Sequence, residues 1–286
     1  MARSLAEGAR KLGLPVVALG RPELDIADPQ SIERAFAAFM PSIVVNAAAY
    51  TAVDTAESDA DRAFAVNRDG AGRIAAAASA AGVPFIHISS DYVFDGSKSM
   101  PYVEEDDPHP LGVYGQSKLE GEHAVRDAHP DAVVLRTSWV YSPYGHNFLK
   151  TMLGLAATRE TVSVVDDQYG TPTAAPDLAS AILDLAQSIL RDGSKSGVYH
   201  LTSAGSTTWY GFAAAIFDGW KERGHRVPAL RRIRTSEYPT PTRRPANSRL
   251  DCTKIHRMYG IRLPDWRDSL GECLDTVASA EIGRGP

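Results

Sequence analysis

Pro84-Phe85-Ile86-His87-Ile88-Ser89-Ser90-Asp91 is the stretch on which the fold turns. It is short, mostly apolar, does not alternate strictly, and ends on two hydroxyls and a carboxylate. Such a run reads as a strand buried in a parallel sheet, with a polar end that emerges where a ligand would sit. Pro15–Leu19, Ile43–Asn46 and Ala132–Arg136 have the same character. Between these runs lie helical segments at Ser31–Phe39, Asp59–Ala81 and Tyr114–Ala128, several of them rich in Ala and Arg. Strands alternating with helices predict βαβ units, and so an α/β fold with a doubly wound parallel sheet and helices on both faces.

In such sheets ligands bind beyond the carboxyl ends of the strands. Here those ends carry Gly20-Arg21, Asn46-Ala47-Ala48-Ala49, Ser89-Ser90-Asp91 and Thr137-Ser138-Trp139. Downstream, Tyr114-Gly115-Gln116-Ser117-Lys118 places a phenol and an ammonium on one face of a helix, a turn apart. A free tyrosine titrates near ~10, and a fixed positive charge beside it stabilises the phenolate and lowers that value. With a hydroxyl at the preceding strand end to hold a substrate oxygen, the pair makes a site for giving a proton to a carbonyl while hydride moves elsewhere. An isolated Tyr-x-x-x-Lys has a plainer alternative, a solvated surface pair.

The second half is less regular. Pro176–Leu190 reads as a helix opened by Pro176 and Asp177, Val198–Leu201 as a strand and Trp209–Arg223 as a helix. Pro239–Pro245 is too proline-rich for helix or central strand. The expected organisation is a dinucleotide-binding part over 1–160 plus about 175–201, incomplete at its front, and a smaller substrate-binding lobe over 161–174 and 202–286. With 286 residues, 44% of them hydrophobic, the chain can build one large core or two modest ones. A net charge of −5 gives no argument for nucleic acid or membrane as partner. Cys252 and Cys273 are too few for a disulfide scaffold, and no Cys/His cluster has metal-ligand spacing. No apolar run approaches the ~20 residues that cross a bilayer, and no signal peptide is read at the start, so a cytoplasmic location is the expectation.

A dinucleotide-binding sheet starts with a strand and a glycine-rich turn into its first helix. This sequence reads as helix at once, from Met1 through Lys11, and Leu12-Gly13-Leu14 turns into the Pro15–Leu19 run. The expectation is that Met1 is a false start with roughly ten residues lost, the length of one strand and its turn. The alternative is a chain that has lost its pyrophosphate site and serves another role.

Ser90, Tyr114 and Lys118 together resemble the short-chain dehydrogenase/reductase superfamily, of Rossmann-type fold, in its extended sugar-nucleotide branch. Val45-Asn46-Ala47-Ala48-Ala49-Tyr50-Thr51-Ala52-Val53-Asp54, Ser89-Ser90-Asp91-Tyr92-Val93-Phe94 and Arg136-Thr137-Ser138-Trp139-Val140-Tyr141 sharpen the match. So do Asp167-Gln168-Tyr169-Gly170-Thr171-Pro172-Thr173 and Arg243-Arg244-Pro245-Ala246-Asn247-Ser248-Arg249-Leu250. These segments resemble the dTDP-4-dehydrorhamnose reductase family, from the first helix to about Trp266. The front glycine motif is the family element absent from the sequence.

The resemblance implies NADPH-dependent reduction of the C4 keto group of dTDP-4-dehydro-L-rhamnose to dTDP-L-rhamnose. It implies that Tyr114 is the proton donor, that Lys118 holds the nicotinamide ribose and depresses the Tyr114 pKa, and that Ser90 bonds the reacting oxygen. Asp91 and Trp139 would meet the deoxysugar, Trp139 having the alternative of a plain core aromatic, while Tyr92 and Phe94 pack beneath. Asn147 would cap the following helix, bond the nucleotide, or do both. Gln168 is a further substrate contact, and Arg244, with Arg243 beside it, would pair with the diphosphate, the alternative being a solvated loop. For the cofactor, Asp25 and Ile26 would lie by the adenine, with Ala47, Ala48, Ala49, Tyr50, Thr51 and Ile88 along the dinucleotide. At the end of the second predicted strand an acid would bind the 2′-hydroxyl of NADH; Arg21 there favours NADPH, with NADH as the alternative. The resemblance admits Mg2+ and a homodimer, neither of which the sequence specifies. Two other readings remain at this point. One is an epimerase or dehydratase of the same branch, the other a non-catalytic subunit like the methionine adenosyltransferase regulatory subunit.

Overall fold

A computed structural model describes residues 1–282; Gly283–Pro286, the end of the lobe expected over 202–286, lie outside the described residues. α1 (Ala2–Lys11) buries Ser4, Leu5 and Ala9 and ends on Arg10 and Lys11, which suit the negative end of the helix dipole. α2 (Pro29–Phe39) opens on Pro29, with the Asp28 carboxylate accepting the Gln30 N–H at 3.0 Å. After β1 (Val44–Asn46) come two short helices, α3 (Val53–Ala56) and α4 (Ala60–Phe64). The helix expected over Asp59–Ala81 is not continuous, because Ala65–Gly70 forms a π turn between α4 and α5 (Ala71–Ala80). The bulge sits where α6 (Val113–Ala128) packs closest: a Cβ on Gly121 would lie 2.0 Å from the Asn67 carbonyl oxygen. β2 (Phe85–Ser90) precedes α6 and β3 (Val133–Thr137) follows it.

Further along come β4 (Val140–Tyr141), α7 (Phe148–Thr158), β5 (Thr161–Val165), β6 (Tyr169–Gly170) and β7 (Thr173–Ala174). α8 (Ala175–Asp192), β8 (Gly197–His200), β9 (Thr207–Thr208) and α9 (Trp209–Glu222) lie within two residues of their predicted spans where a span was predicted. β10 (Ala229–Ile233), α10 (Thr253–Tyr259) and α11 (Trp266–Ile282) complete the described chain, and Pro239–Pro245 is neither helix nor strand.

The main sheet is parallel, in the order β1-β2-β3-β8. On one face Leu5 and Ala9 of α1 and Leu178 and Ile182 of α8 pack with Ile86 and Leu135. On the other, Ile32, Ile74 and Val125 of α2, α5 and α6 pack with Phe85 and Val134. This is the doubly wound Rossmann-like arrangement expected. A separate core of Tyr141, Leu149, Phe212, Trp266 and Leu274 forms among α7, α9 and α11.

One predicted strand fails. Pro15–Leu19 pairs with no strand among the described residues, and Val16 and Val17 are 44% and 58% exposed. A branched apolar run becomes a strand only where a neighbour satisfies its N–H and C=O groups, and composition cannot report the neighbour.

Candidate active site

Ser90 ends β2 and caps a single 3-10 turn, Asp91–Val93. Its hydroxyl accepts the Tyr92 N–H at 3.2 Å and donates to Asp91 Oδ1 at 3.0 Å. α6 lies directly against this turn because Gly115 has no side chain; a Cβ there would be 2.2 Å from the Tyr92 carbonyl oxygen. The close approach sets the Tyr114 ring edge-on to Tyr92, centroids 5.6 Å apart. One turn on, Lys118 is 2% exposed and its Nζ donates to the Ile88 carbonyl at 2.7 Å. Ser90, Tyr114 and Lys118 thus converge on the end of β2, with Tyr92 against Tyr114, while the buried Phe94 stacks on Tyr102 away from them.

The electrostatics differ from expectation in one respect. Burial pushes the Tyr114 phenol up to about 12, the Ser90 hydroxyl pulling the other way and Asp91 adding to the rise. The rise is set by burial rather than by Lys118, whose ammonium is bonded to the Ile88 carbonyl. Lys118 itself is brought down to about 8 by burial, with Glu122 opposing the fall. A phenol held this high is protonated at neutral pH, the state a proton donor needs. Burial also raises Asp91 to about 7 against the pull of the Ser248 and Ser90 hydroxyls, and its Oδ2 is buried without a partner among the described residues.

Beneath α6 the sheet face is polar. Asn46 stands in register with His87, and Ser89 with Arg136, which is in turn in register with His200. All five side chains are buried. Asn46 Nδ2 and His87 Nδ1 are 3.1 Å apart, and Arg136 forks onto the Glu122 carboxylate at 2.7 and 3.0 Å. Sequence reasoning did not single these out as site residues. The available signal was spacing, because Glu122 continues the Tyr114–Lys118 face by one more turn.

Apart from Ile88 on β2 and Tyr114 and Lys118 on α6, the residues assigned to the cofactor lie on loops. Ala48 N–H is held by Asn46 Oδ1 at 3.1 Å, and the Asn67 carboxamide takes both the N–H and the carbonyl of Tyr50, at 2.8 and 3.1 Å. The same Asn67 donates to Ser117 Oγ at 2.9 Å, tying the loop after β1 to α6. Ala47, Ala48, Ala49 and Thr51 leave the backbone of that loop lightly covered. Arg21 is exposed after the unpaired run. Asp25 accepts the Ala27 N–H at 2.9 Å, whereas the Ile26 side chain belongs to the core, under Gly70.

On the other side Trp139 has a left-handed backbone, φ 44°, and stacks on Trp209 at 3.6 Å. Gly170 makes room for it, as a Cβ there would be 2.3 Å from the indole. Trp209, which the sequence reading passed over, leans in turn on Phe148 at 4.6 Å. Asn147 caps α7 through the Lys150 N–H at 3.3 Å and donates to the Ser142 and Tyr144 carbonyls, so the capping role is the one seen. Gln168 is buried and donates to Thr235 Oγ1 at 3.0 Å. Arg244 pairs with Asp54 at 2.7 Å and reaches the Tyr92 hydroxyl at 3.5 Å, which brings it to the rim of the site rather than into a solvated loop. Among the described residues no group of three or more His, Cys, Asp or Glu side chains is gathered at one point.

A family model described as the RmlD substrate binding domain matches residues 1–279. The chain is 50% identical over 256 residues to a dTDP-4-dehydrorhamnose reductase of Sinorhizobium fredii, covering 89% of this chain and 86% of that protein. It is 46% identical over 287 residues to one of Burkholderia thailandensis, covering 98% and 95%. Its fold is similar to the crystal structure of dTDP-4-dehydrorhamnose reductase from Bacillus anthracis in complex with NADP, with a TM-score of 0.88, 32% identity and coverage of 96% and 94%.

Proposed function

The chain belongs to the RmlD substrate binding domain family, the dTDP-4-dehydrorhamnose reductases, and from that premise we infer its reaction. It reduces the C4 keto group of dTDP-4-dehydro-L-rhamnose to dTDP-L-rhamnose with NADPH, and in this reading Tyr114 is the proton donor. The observation that carries the role of Tyr114 is its convergence, as a protonated phenol, with Ser90 and Lys118 at the end of β2. The reductase reading takes the place of the epimerase, dehydratase and regulatory-subunit alternatives.

The reacting end of the site fits a nicotinamide ribose. An ammonium has three N–H groups, and among the described residues Lys118 has one acceptor, the Ile88 carbonyl. The neighbouring strand end offers the lightly covered Ala47–Ala49 backbone. NADPH, when bound, supplies the hydride. Ser90 Oγ holds the substrate carbonyl oxygen, and as negative charge grows on that oxygen the Tyr114 hydroxyl transfers its proton to it. The charge left on the phenolate is stabilised by the Lys118 ammonium. Asp91, Trp139, Gln168 and Arg244 are assigned to the sugar nucleotide. Asn147, engaged in capping α7, supports that wall. Arg21, with Asp25 and the backbone at Ile26, whose side chain is in the core, is assigned to the adenosine side, where a cation suits a 2′-phosphate, and Tyr50 and Thr51 continue the Ala47–Ala49 stretch along the dinucleotide.

The division into a cofactor part over 1–160 plus about 175–201 and a substrate lobe over the remainder belongs to this reading. So do a cytoplasmic location and a homodimer; no described helix is long and apolar enough to cross a membrane. The test is to follow loss of reduced-nicotinamide absorbance with dTDP-4-dehydro-L-rhamnose. Tyr114→Phe is expected to lower kcat by about 10²–10⁴-fold, the range of a lost general acid. Absence of turnover by the folded wild-type chain overturns the reading.

A further inference from the structure

Tyr114, Lys118 and Glu122 follow one another at intervals of four on α6 and share the face turned to β2. Glu122 is 1% exposed. Its carboxylate accepts from Arg136 Nε at 3.0 Å, from Arg136 Nη2 at 2.7 Å and from Ser89 Oγ. Arg136 is 4% exposed, with its guanidinium 5.0 Å above the Phe94 ring. A buried ion pair gives little net stability and is often replaceable by apolar residues of similar volume. Its position offers another reason for it. Ser89, which holds Glu122, lies in β2 between Ile88, whose carbonyl takes the Lys118 ammonium, and Ser90.

We propose that Glu122, clamped by Arg136 and Ser89, is a positioning residue for the reaction: its carboxylate keeps Lys118 an ammonium and so sets the alkaline limit of catalysis. The inference rests on the reading of Lys118 as the cationic partner of Tyr114. The other groups around Lys118 do not supply that charge. His87 on β2 is held neutral by burial, with the Lys118 charge adding to the effect, and His200 on β8 by burial and then Arg136. Tyr114 and Tyr92 are buried phenols pushed above their ordinary range, and Asp91 is half protonated near neutrality. Arg136 on β3 is a cation that repels. The charges of α3, α4 and the π turn, namely Asp54, Glu57, Asp61, Arg62, Arg68 and Asp69, are exposed or half-exposed and screened by water. Glu122 is the buried anion on the Lys118 face.

The test is a pH titration of cofactor-free protein labelled at lysine ¹³Cε, followed by NMR, the Lys118 signal identified with Lys118→Arg. In Glu122→Gln the Lys118 midpoint is expected to fall by about one unit, the size of effect a neighbouring charge produces. Glu122→Gln/Arg136→Met removes both charges and leaves no unpaired ion, so it folds where the single variant fails to. There the midpoint also falls, by less. The alkaline limb of kcat/KM moves by the same amount, an about tenfold loss on that limb that shrinks toward neutral pH. A Lys118 midpoint unchanged from wild type in the folded variants overturns the proposal. A midpoint that moves while the limb stays put leaves the hold of Glu122 on Lys118 standing and sinks the catalytic role given to Lys118.

Discussion

β2 and the Pro15–Leu19 segment are both short branched-apolar runs leading toward the same crevice, and they stand in opposite conditions. β2 is paired on both sides, by β1 and β3, and nearly all its side chains are buried. Pro15–Leu19 has no strand beside it among the described residues, and its valines face solvent. The catalytic side chains belong to the first kind of surroundings. Ser90 is the last residue of a central strand, and Tyr114 and Lys118 ride on a helix that the polar layer fastens to the same sheet. The residues assigned to the adenosine side sit on the second kind, loops after an unpaired run. Placement precise enough for proton transfer comes from the doubly paired strand, while the other wall relies on backbone and exposed side chains.

That contrast can be broken at the buried end first. Arg136→Met strands the Glu122 carboxylate in the core, and denaturant unfolding is expected to show a loss of about 3–5 kcal/mol. A loss under about 1 kcal/mol, the range of exposed ion pairs, would mean that the layer is wet. An effect of similar size is expected from Asp91→Asn, but only across a span of pH. The folded-state pKa of Asp91 is raised, so the folded protein keeps a proton that the unfolded chain has released across the window from about 4 to about 7. Wild-type stability therefore falls with rising pH through that window. Asn removes the fall, which at about 1.4 kcal/mol per pH unit amounts to about 4 kcal/mol across the window. Parallel stability–pH curves for the two proteins would contradict this. The smallest effect belongs to the other region: Val17→Thr is expected to change stability by less than about 0.5 kcal/mol, as at an ordinary surface position. A loss above about 1 kcal/mol would show that the run is covered in solution.

What could be read in the sequence was what is local or periodic. β2 and α6 show their character over a few residues, and the Tyr114–Lys118 spacing fixes a shared helix face. What escaped depends on partners far apart in the chain. Arg136 reaches Glu122 from the next strand, Asp54 takes Arg244 from almost the other end of the protein, and Trp209 covers Trp139 from α9. The π turn at Asn67 answers to Gly121 on another helix. The direction of the Tyr114 shift was missed for the same reason, since spacing shows the neighbouring cation but not the burial that raises the phenol.

The missing side chain at Gly115 has a consequence for how the enzyme can vary. The helix bearing the phenol rests on the Tyr92 carbonyl with a hydrogen atom as the spacer, so this contact works as a gauge that fixes how far Tyr114 stands from Ser90. Even a methyl group would lift the helix by an increment on the order of the ~1 Å misplacement that costs catalysis about a hundredfold. Position 115 touches no reacting atom and carries no functional group, yet it has less freedom to drift than many residues that line the crevice.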